Sequence, residues 1–173
     1  MIRKLNQNDI QNLEMIEVLA FNINHNYTET EKEFWGGKVE RTSVSDLSKK
    51  IQSNQILAYF DKDKIVGSVV YEIRTNQAKF GMLSVNLDYH GKRIGSQLCK
   101  AMESDLVKRG VQKLSLELLV PRFYESANKK RILEWYKRIG FQVEKRIQTE
   151  EIPHFPSEKL LVKSDFIVMS KNL

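Results

Sequence analysis

Between Ala78 and Arg109 the chain changes its hydrophobic period across one short basic turn, and this change constrains the fold more than any other feature of the sequence. Ala78 to Leu87 alternates: Leu83, Val85 and Leu87 are predicted on one face of a strand and Phe80, Met82 and Ser84 on the other, with both faces largely buried. From Lys92 to Arg109 the apolar residues Ile94, Leu98, Met102 and Leu106 recur every fourth position beside Ala101, and Gly110 stands where a helix would end. Leu114 to Val120 returns to a strand pattern. Strand, tight turn, amphipathic helix and strand imply a sheet with a helix laid against it.

The flanking segments extend the same architecture. Met1 to Leu5 reads as a short strand, followed by a helix capped by Asn8 or Asp9 whose apolar positions are Ile10, Leu13, Ile16 and Leu19 or Ala20. Residues 21–42 have no clear period and read as a ligand-facing loop. Ser43 or Ser45 can cap a second helix through Leu47 and Ile51, and the runs Gln55 to Phe60 and Ile65 to Ile73 flank Asp61-Lys62-Asp63-Lys64 as a hairpin. A helix carrying Ile132, Trp135, Tyr136 and Ile139 stops at Gly140, and Phe141 to Gln148 and Asp165 to Ser170 supply two last strands. The order β-α-α-β-β-β-α-β-α-β-β gives a mixed α/β fold, its sheet antiparallel or mixed, with helices on its faces. Without repeats or a Gly/Pro-rich linker in 173 residues, a single domain over 1–173 is expected.

The turn between strand and helix carries the chemistry. In Leu83-Ser-Val-Asn-Leu-Asp-Tyr-His-Gly-Lys-Arg-Ile-Gly-Ser-Gln-Leu98 the glycines let backbone N–H groups converge on an anion. The helix N-terminus adds unpaired donors and its positive dipole end, and Lys92 and Arg93 add charge. A diphosphate suits such a cradle; the alternative is that Gly91 and Gly95 serve only a turn and close packing. The spacing is neither that of a Walker loop nor the GxGxxG of a dinucleotide fold.

On these residues the sequence resembles the GNAT superfamily of acetyl-CoA-dependent N-acetyltransferases, over essentially the whole chain. The family signature Gln/Arg-x-x-Gly-x-Gly/Ala falls on His90-Gly91-Lys92-Arg93-Ile94-Gly95, after the strand end Leu83-Ser-Val85. Arg131-Ile-Leu-Glu-Trp-Tyr136-Lys-Arg-Ile-Gly140-Phe141 is similar to the family's Tyr-x-x-x-Gly-Phe helix ending. Pro121-Arg122, the Trp135-Tyr136 pair and Asp165-Phe166 are shared with a subset of its members. The chain departs from the pattern where His90 replaces Gln or Arg, Arg93 replaces the middle glycine, and Leu87 stands in place of proline. A histidine can still donate to phosphate, and a residue at 93 already in the helical region needs no glycine, so binding by backbone amides should survive.

The resemblance implies a mostly antiparallel sheet of about seven strands, acetyl-CoA as acyl donor, and direct attack of an amine on the thioester. It places the cofactor on Leu83, Ser84, Val85, His90, Gly91, Lys92, Arg93, Ile94, Gly95 and Ser96. Tyr136 falls where family members keep a tyrosine general acid, with a core aromatic as its alternative role. An alkyl ammonium, of pKa ~10.4, must lose a proton before attack, which makes Glu117 and Glu72 candidate bases or else paired strand carboxylates. The long connections 21–42 and 121–130 should line the acceptor pocket with Tyr27, Phe34, Trp35 and Tyr124. Cys99 reads as packing rather than a nucleophile.

The partner expected is a small amine or a peptide N-terminus. The net charge of +6 disfavours a lysine-rich acceptor. A nucleic-acid face of Lys129, Lys130, Arg131, Lys137 and Arg138 is the rival from another class, and a CoA-sensing protein without turnover is the rival within the fold. His25, His90, His154 and Cys99 lack metal-ligand spacing, so no metal is expected. One cysteine, no apolar leader and no membrane-length run point to a cytoplasmic protein, as monomer or homodimer.

Overall fold

The computed structural model describes residues 1–37 and 39–173. In chain order it contains β1 (Ile2–Lys4), a 3₁₀ turn (Gln7–Gln11), α1 (Leu13–Thr30), α2 (Lys32–Trp35), α3 (Val44–Gln52), β2 (Ile56–Asp61), β3 (Lys64–Arg74) and β4 (Gln77–Val85). A 3₁₀ turn (Leu87–Tyr89), α4 (Ile94–Lys108), β5 (Lys113–Pro121), α5 (Ala127–Arg138), β6 (Gln142–Gln148), two more 3₁₀ turns (Thr149–Glu151, Ser157–Lys159) and β7 (Ser164–Asn172) complete it.

The strands form one sheet in the order β1-β2-β3-β4-β5-β7-β6. Every neighbouring pair is antiparallel except β4 and β5, which are parallel because α4 carries the chain over the sheet between them. The mixed α/β class and seven-stranded, mostly antiparallel sheet expected from the sequence are therefore present.

The two faces have separate cores. The apolar stripe of α4 (Ile94, Leu98, Met102, Leu106) packs with Tyr136 and Phe141 on Val69, Phe80, Leu114 and Leu116. Ile16, Leu19 and Ile23 of α1 and Leu47 and Ile51 of α3 cover Ile56, Ala58 and Val70 on the other face. Leu98 and Met102 are fully excluded from solvent, each worth on the order of 2 kcal/mol in transfer free energy. A third, smaller cluster of Phe34, Leu119 and Phe166 closes one end of the sheet.

Local readings of the sequence fail in identifiable places. Residues 21–30, expected as loop, continue α1: Ile23 extends the stripe of Ile16, Leu19 and Ala20, and the polar residues between face outward or into a cleft. The cap is Asn12, whose side chain accepts from the Met15 N–H at 3.0 Å, while Asn6 and Asp9 close a capping box around the preceding 3₁₀ turn. The connection after β5 is shorter than expected, since Ser126 caps α5 at Ala127.

Strand β4 also breaks its alternation. Met82 takes a left-handed conformation (φ 48°) and the β3–β4 register shifts between Ser68 and Val70, so a bulge falls there. Phe80 consequently shares the α4 side with Leu83 and Val85, while Met82 and Ser84 turn to the α1 side. Leu87 lies past the strand, in the 3₁₀ turn.

Candidate active site

Strands β4 and β5 pair only through Gln77–Lys113, Ala78–Leu114 and Lys79–Ser115. Beyond that point they part. β4 remains fixed to β3 as far as Val85–Gly67, and β5 to β7 as far as Pro121–Ser164. Ser115 Oγ donates to the Ala78 carbonyl at 3.2 Å at the fork, and the bulge at Met82 bends β4 away. The facing edges of both strands therefore present main-chain groups to a cavity of about 580 Å³, a volume ordinary for a cofactor or small-molecule site.

One end of the cavity is the turn before α4. Gly91 has φ +80°, a conformation that strains any residue with a Cβ. Arg93 is also left-handed (φ 59°, ψ 18°), not helical as the sequence reading supposed, so a bulky residue occupies a position where glycine relieves roughly 1–2 kcal/mol of strain. The return for this geometry is a row of donors. The first backbone bond of α4 runs from Gln97 N–H to the Arg93 carbonyl at 3.1 Å, leaving the N–H groups of Ile94, Gly95 and Ser96 without an intrahelical partner. Among the described residues no backbone carbonyl accepts from the N–H of Gly91, Lys92 or Arg93 either.

The Nε2 of His90 is 3.0 Å from the Val85 carbonyl, so it donates there and braces the turn against the strand end. Lys92 stacks its ammonium over the Tyr89 ring at 4.2 Å and is not on the cavity wall, whereas His90, Gly91, Arg93, Ile94, Gly95 and Ser96 are. Gly67 was not anticipated from the sequence. A Cβ there would lie 3.0 Å from Ile94 and 3.3 Å from the Ser84 carbonyl, so its absence lets the start of α4 settle on β3 and β4. Leu83 and Val85 line the cavity, while Ser84 is buried beneath it with Oγ directed at the Asn22 carbonyl.

Tyr136 lines the cavity from α5. Its ring packs edge-on against Phe80 and Phe141, with centroids at 6.0 and 5.8 Å, so the core position and the cavity position are the same position. Its hydroxyl bonds to no described residue, and burial holds its pKa well above the ordinary phenol value. Glu117 lies on β5 in the cavity wall, paired with Lys79 at 2.7 Å across the fork. Glu72 does not join them: it is exposed on β3, paired with Arg74 at 3.1 Å, outside this cavity. Cys99 is buried in α4 and its thiol is pushed up to about 12 by burial, which leaves it unreactive.

Of the residues expected at the acceptor pocket, Tyr27 and Trp35 line the cavity. Phe34 does not; it is wholly buried in the small cluster with Leu119 and Phe166. Tyr124 lies outside, half exposed, donating to Glu33 at 3.1 Å. The structure instead brings in Asn26, Glu31, Lys129 and Phe155, which sequence reading missed. Lys129, assigned with its neighbours to a basic outer face, points inward and pairs with Glu31 at 2.7 Å. Lys130 and Lys137, on the remaining face, are each paired with a glutamate, Glu125 and Glu134. Arg122 and Asp165, which lie in two separate stretches shared with that subset of the family, bond at 2.7 Å and tie the end of β5 to β7. No cluster of potential metal ligands and no helix long and apolar enough to cross a membrane occurs among the described residues.

The sheet thus forks beside a turn with unpaired amides, and Tyr136 lies on the wall of the same cavity. The family profile described as "Acetyltransferase (GNAT) domain" matches residues 23–161, and the chain belongs to that family. No curated protein matches it in sequence. Solved structures with the same fold include smu.2055 of Streptococcus mutans UA159 (20% identity, 99% of this chain and 98% of that one, TM-score 0.71). The ribosomal-protein-S18-alanine N-acetyltransferase of Escherichia coli is another (17%, 99% and 92%, 0.66). The paia N-acetyltransferase of Thermoplasma acidophilum, solved with coenzyme A, is a third (24%, 100% and 98%, 0.64).

Proposed function

We propose that residues 1–173 act as one cytoplasmic acetyltransferase domain that moves an acetyl group from acetyl-CoA to a primary amine. The observation that carries this reading is the coincidence, on one 580 Å³ cavity, of the parted β4 and β5 edges with the unpaired amides of the turn before α4. Amides and charge suited to a diphosphate come from Gly91 to Ser96, and the main chain from Leu83 to Val85 offers a strand edge to an extended amide-bearing arm. Acetyl-CoA supplies the activated thioester; the chain supplies position and protons.

Tyr136 is the proposed acid. Its phenol is held neutral by burial, is unshared with any described residue and lines the same cavity as the parted strands, which suits it to give a proton to a departing thiolate. Glu117 is the proposed base, acting on the amine through water, with Lys79 holding its side chain. One ammonium proton passes through water to Glu117 before attack; attack then forms the C–N bond and breaks C–S, Tyr136 gives its proton to the thiolate, and the second nitrogen proton restores the phenol.

Thermal unfolding with increasing acetyl-CoA, beside ATP and NAD, tests the cofactor. Ligand at ~100 times its dissociation constant should add about 2.7 kcal/mol of stability, and the controls should add none. CoA release with a panel of amines then tests transfer: stabilisation without any release would mark a CoA sensor, and no stabilisation would remove the reading.

A further inference from the structure

The acceptor end of the cavity holds polar groups that acetyl transfer itself does not use. The Lys129 side chain is 5% exposed, and its ammonium, with three donors to place, makes one hydrogen bond among the described residues, to Glu31 Oε1 at 2.7 Å. The other Glu31 oxygen accepts from Trp35 Nε1 at 3.1 Å, which sets the indole against the cavity. Asn26, on α1, is the complementary case: its Oδ1 is shut away from solvent with no donor. Arg41 stacks over Tyr27 at 5.2 Å on the same wall, with no carboxylate partner among the described residues. Beside these groups the wall is aromatic, with Trp35 edge-on to Phe155 at 6.1 Å and Phe155 edge-on to Phe166 at 5.1 Å.

A ligand that completes this wall brings an anionic oxygen for Lys129 and a ring or large apolar body for Trp35 and Phe155. A polyamine would set further ammonium groups beside Lys129 and Arg41, and neither a polyamine nor a neutral sugar brings an anionic oxygen for the Lys129 ammonium. We propose that the acceptor is a free amino acid with a ring-bearing side chain, its amine directed to the thioester and its carboxylate held by Lys129. The proposal rests on the acetyltransferase reading for the fate of the amine, and on the cavity alone for recognition.

Calorimetric binding to the full chain, with and without CoA, tests recognition apart from turnover. The probes are L-phenylalanine, phenethylamine (the same ring and amine without carboxylate), glycine (no ring) and spermidine. L-Phenylalanine should bind at least about tenfold more tightly than each of the others, the scale of one charge-assisted hydrogen bond or one buried ring. Phenethylamine binding as well as phenylalanine, spermidine binding best, or phenylalanine failing to bind at millimolar concentration would each overturn the proposal, whatever acetyl-CoA does in the unfolding assay. The double variant Glu31→Gln/Lys129→Met removes both charges together and so strands neither. It should erase most of the preference for phenylalanine over phenethylamine, and Lys129→Arg should keep it; a double variant that folds and retains the preference would place the carboxylate elsewhere.

Discussion

The two ends of the cavity are built in opposite ways. The turn from Asn86 to Ser96 is contiguous, and what it offers is main chain: left-handed Gly91 and Arg93 aim amides that the helix start leaves unpaired. The end proposed for the acceptor is assembled from α1, α2, α5 and the β6–β7 connection, and what it offers is side chains: Asn26, Glu31, Trp35, Lys129 and Phe155. A backbone cradle tolerates changes of side chain as long as the path of the chain holds, which is why His90 and Arg93 can stand where the family pattern has other residues. A side-chain pocket has no such tolerance, because each group is held by a partner far away in sequence, as Lys129 is by Glu31.

Tyr136 lies between the two ends, and replacing it breaks both halves of the reaction apart. Tyr136→Phe should lower turnover by ~10²–10⁴-fold, the range for a general acid, while acetyl-CoA still raises the unfolding temperature. CoA release and thermal shift on the same sample check this.

Lys129→Met should act mainly on the acceptor end and on stability. It strands the Glu31 carboxylate in a buried site, at a cost of about 3 kcal/mol, measurable by denaturant unfolding, and the double variant with Glu31→Gln should recover most of the loss. Gly91→Ala should act at the opposite end. Nothing lies within 4 Å of the added Cβ, so the effect is conformational, roughly 1–2 kcal/mol, and should appear as weaker stabilisation by acetyl-CoA.

Arg93→Gly sharpens the contrast because its two effects have opposite signs. Relief of the left-handed strain, less the extra freedom of glycine in the unfolded chain, should stabilise the free protein by about 0.5 kcal/mol. Acetyl-CoA affinity should fall and depend less on salt, since a cation has left the wall. Titration calorimetry at two ionic strengths separates these.

The smallest effect expected is a pH dependence away from both ends. Glu150, hydrogen-bonded by Arg122 at 2.6 Å, has its carboxyl pulled from 4.5 down to about 2. A depressed carboxylate stabilises the fold above its unfolded pKa and loses that contribution as pH falls from 4.5 through about 2. Unfolding temperature measured across that window should drop less steeply in Glu150→Gln than in the parent chain.

Most strands and helices were legible because each buries one face against one layer, and that leaves a period in the sequence. Ile94, Leu98, Met102 and Leu106 announce α4 without help from the rest of the chain. The errors fell where that rule lapses. Residues 21–30 border both the core and the cavity, so their polar residues, Asn26 among them, masked a helix. The bulge at Met82 moved Phe80 to the other face, and no alternation pattern carries a bulge. Lys129 looked like one more basic residue on an outer helix face until the junction of α1 and α2 placed Glu31 beside it.

By itself the sequence determined the order of the strands and the longer helices, the glycine-bearing turn before α4 and the family to which the chain belongs, since each depends on residues close together in the chain. Tertiary structure decided that β4 and β5 part after Lys79 and Ser115, that Tyr136 serves core and cavity at once, that Glu72 is left outside, and that Glu31 and Lys129 meet. The reason is physical: periodicity and backbone freedom are local, whereas the pairing of buried charges and the opening of a sheet depend on groups that only packing brings within a few ångströms.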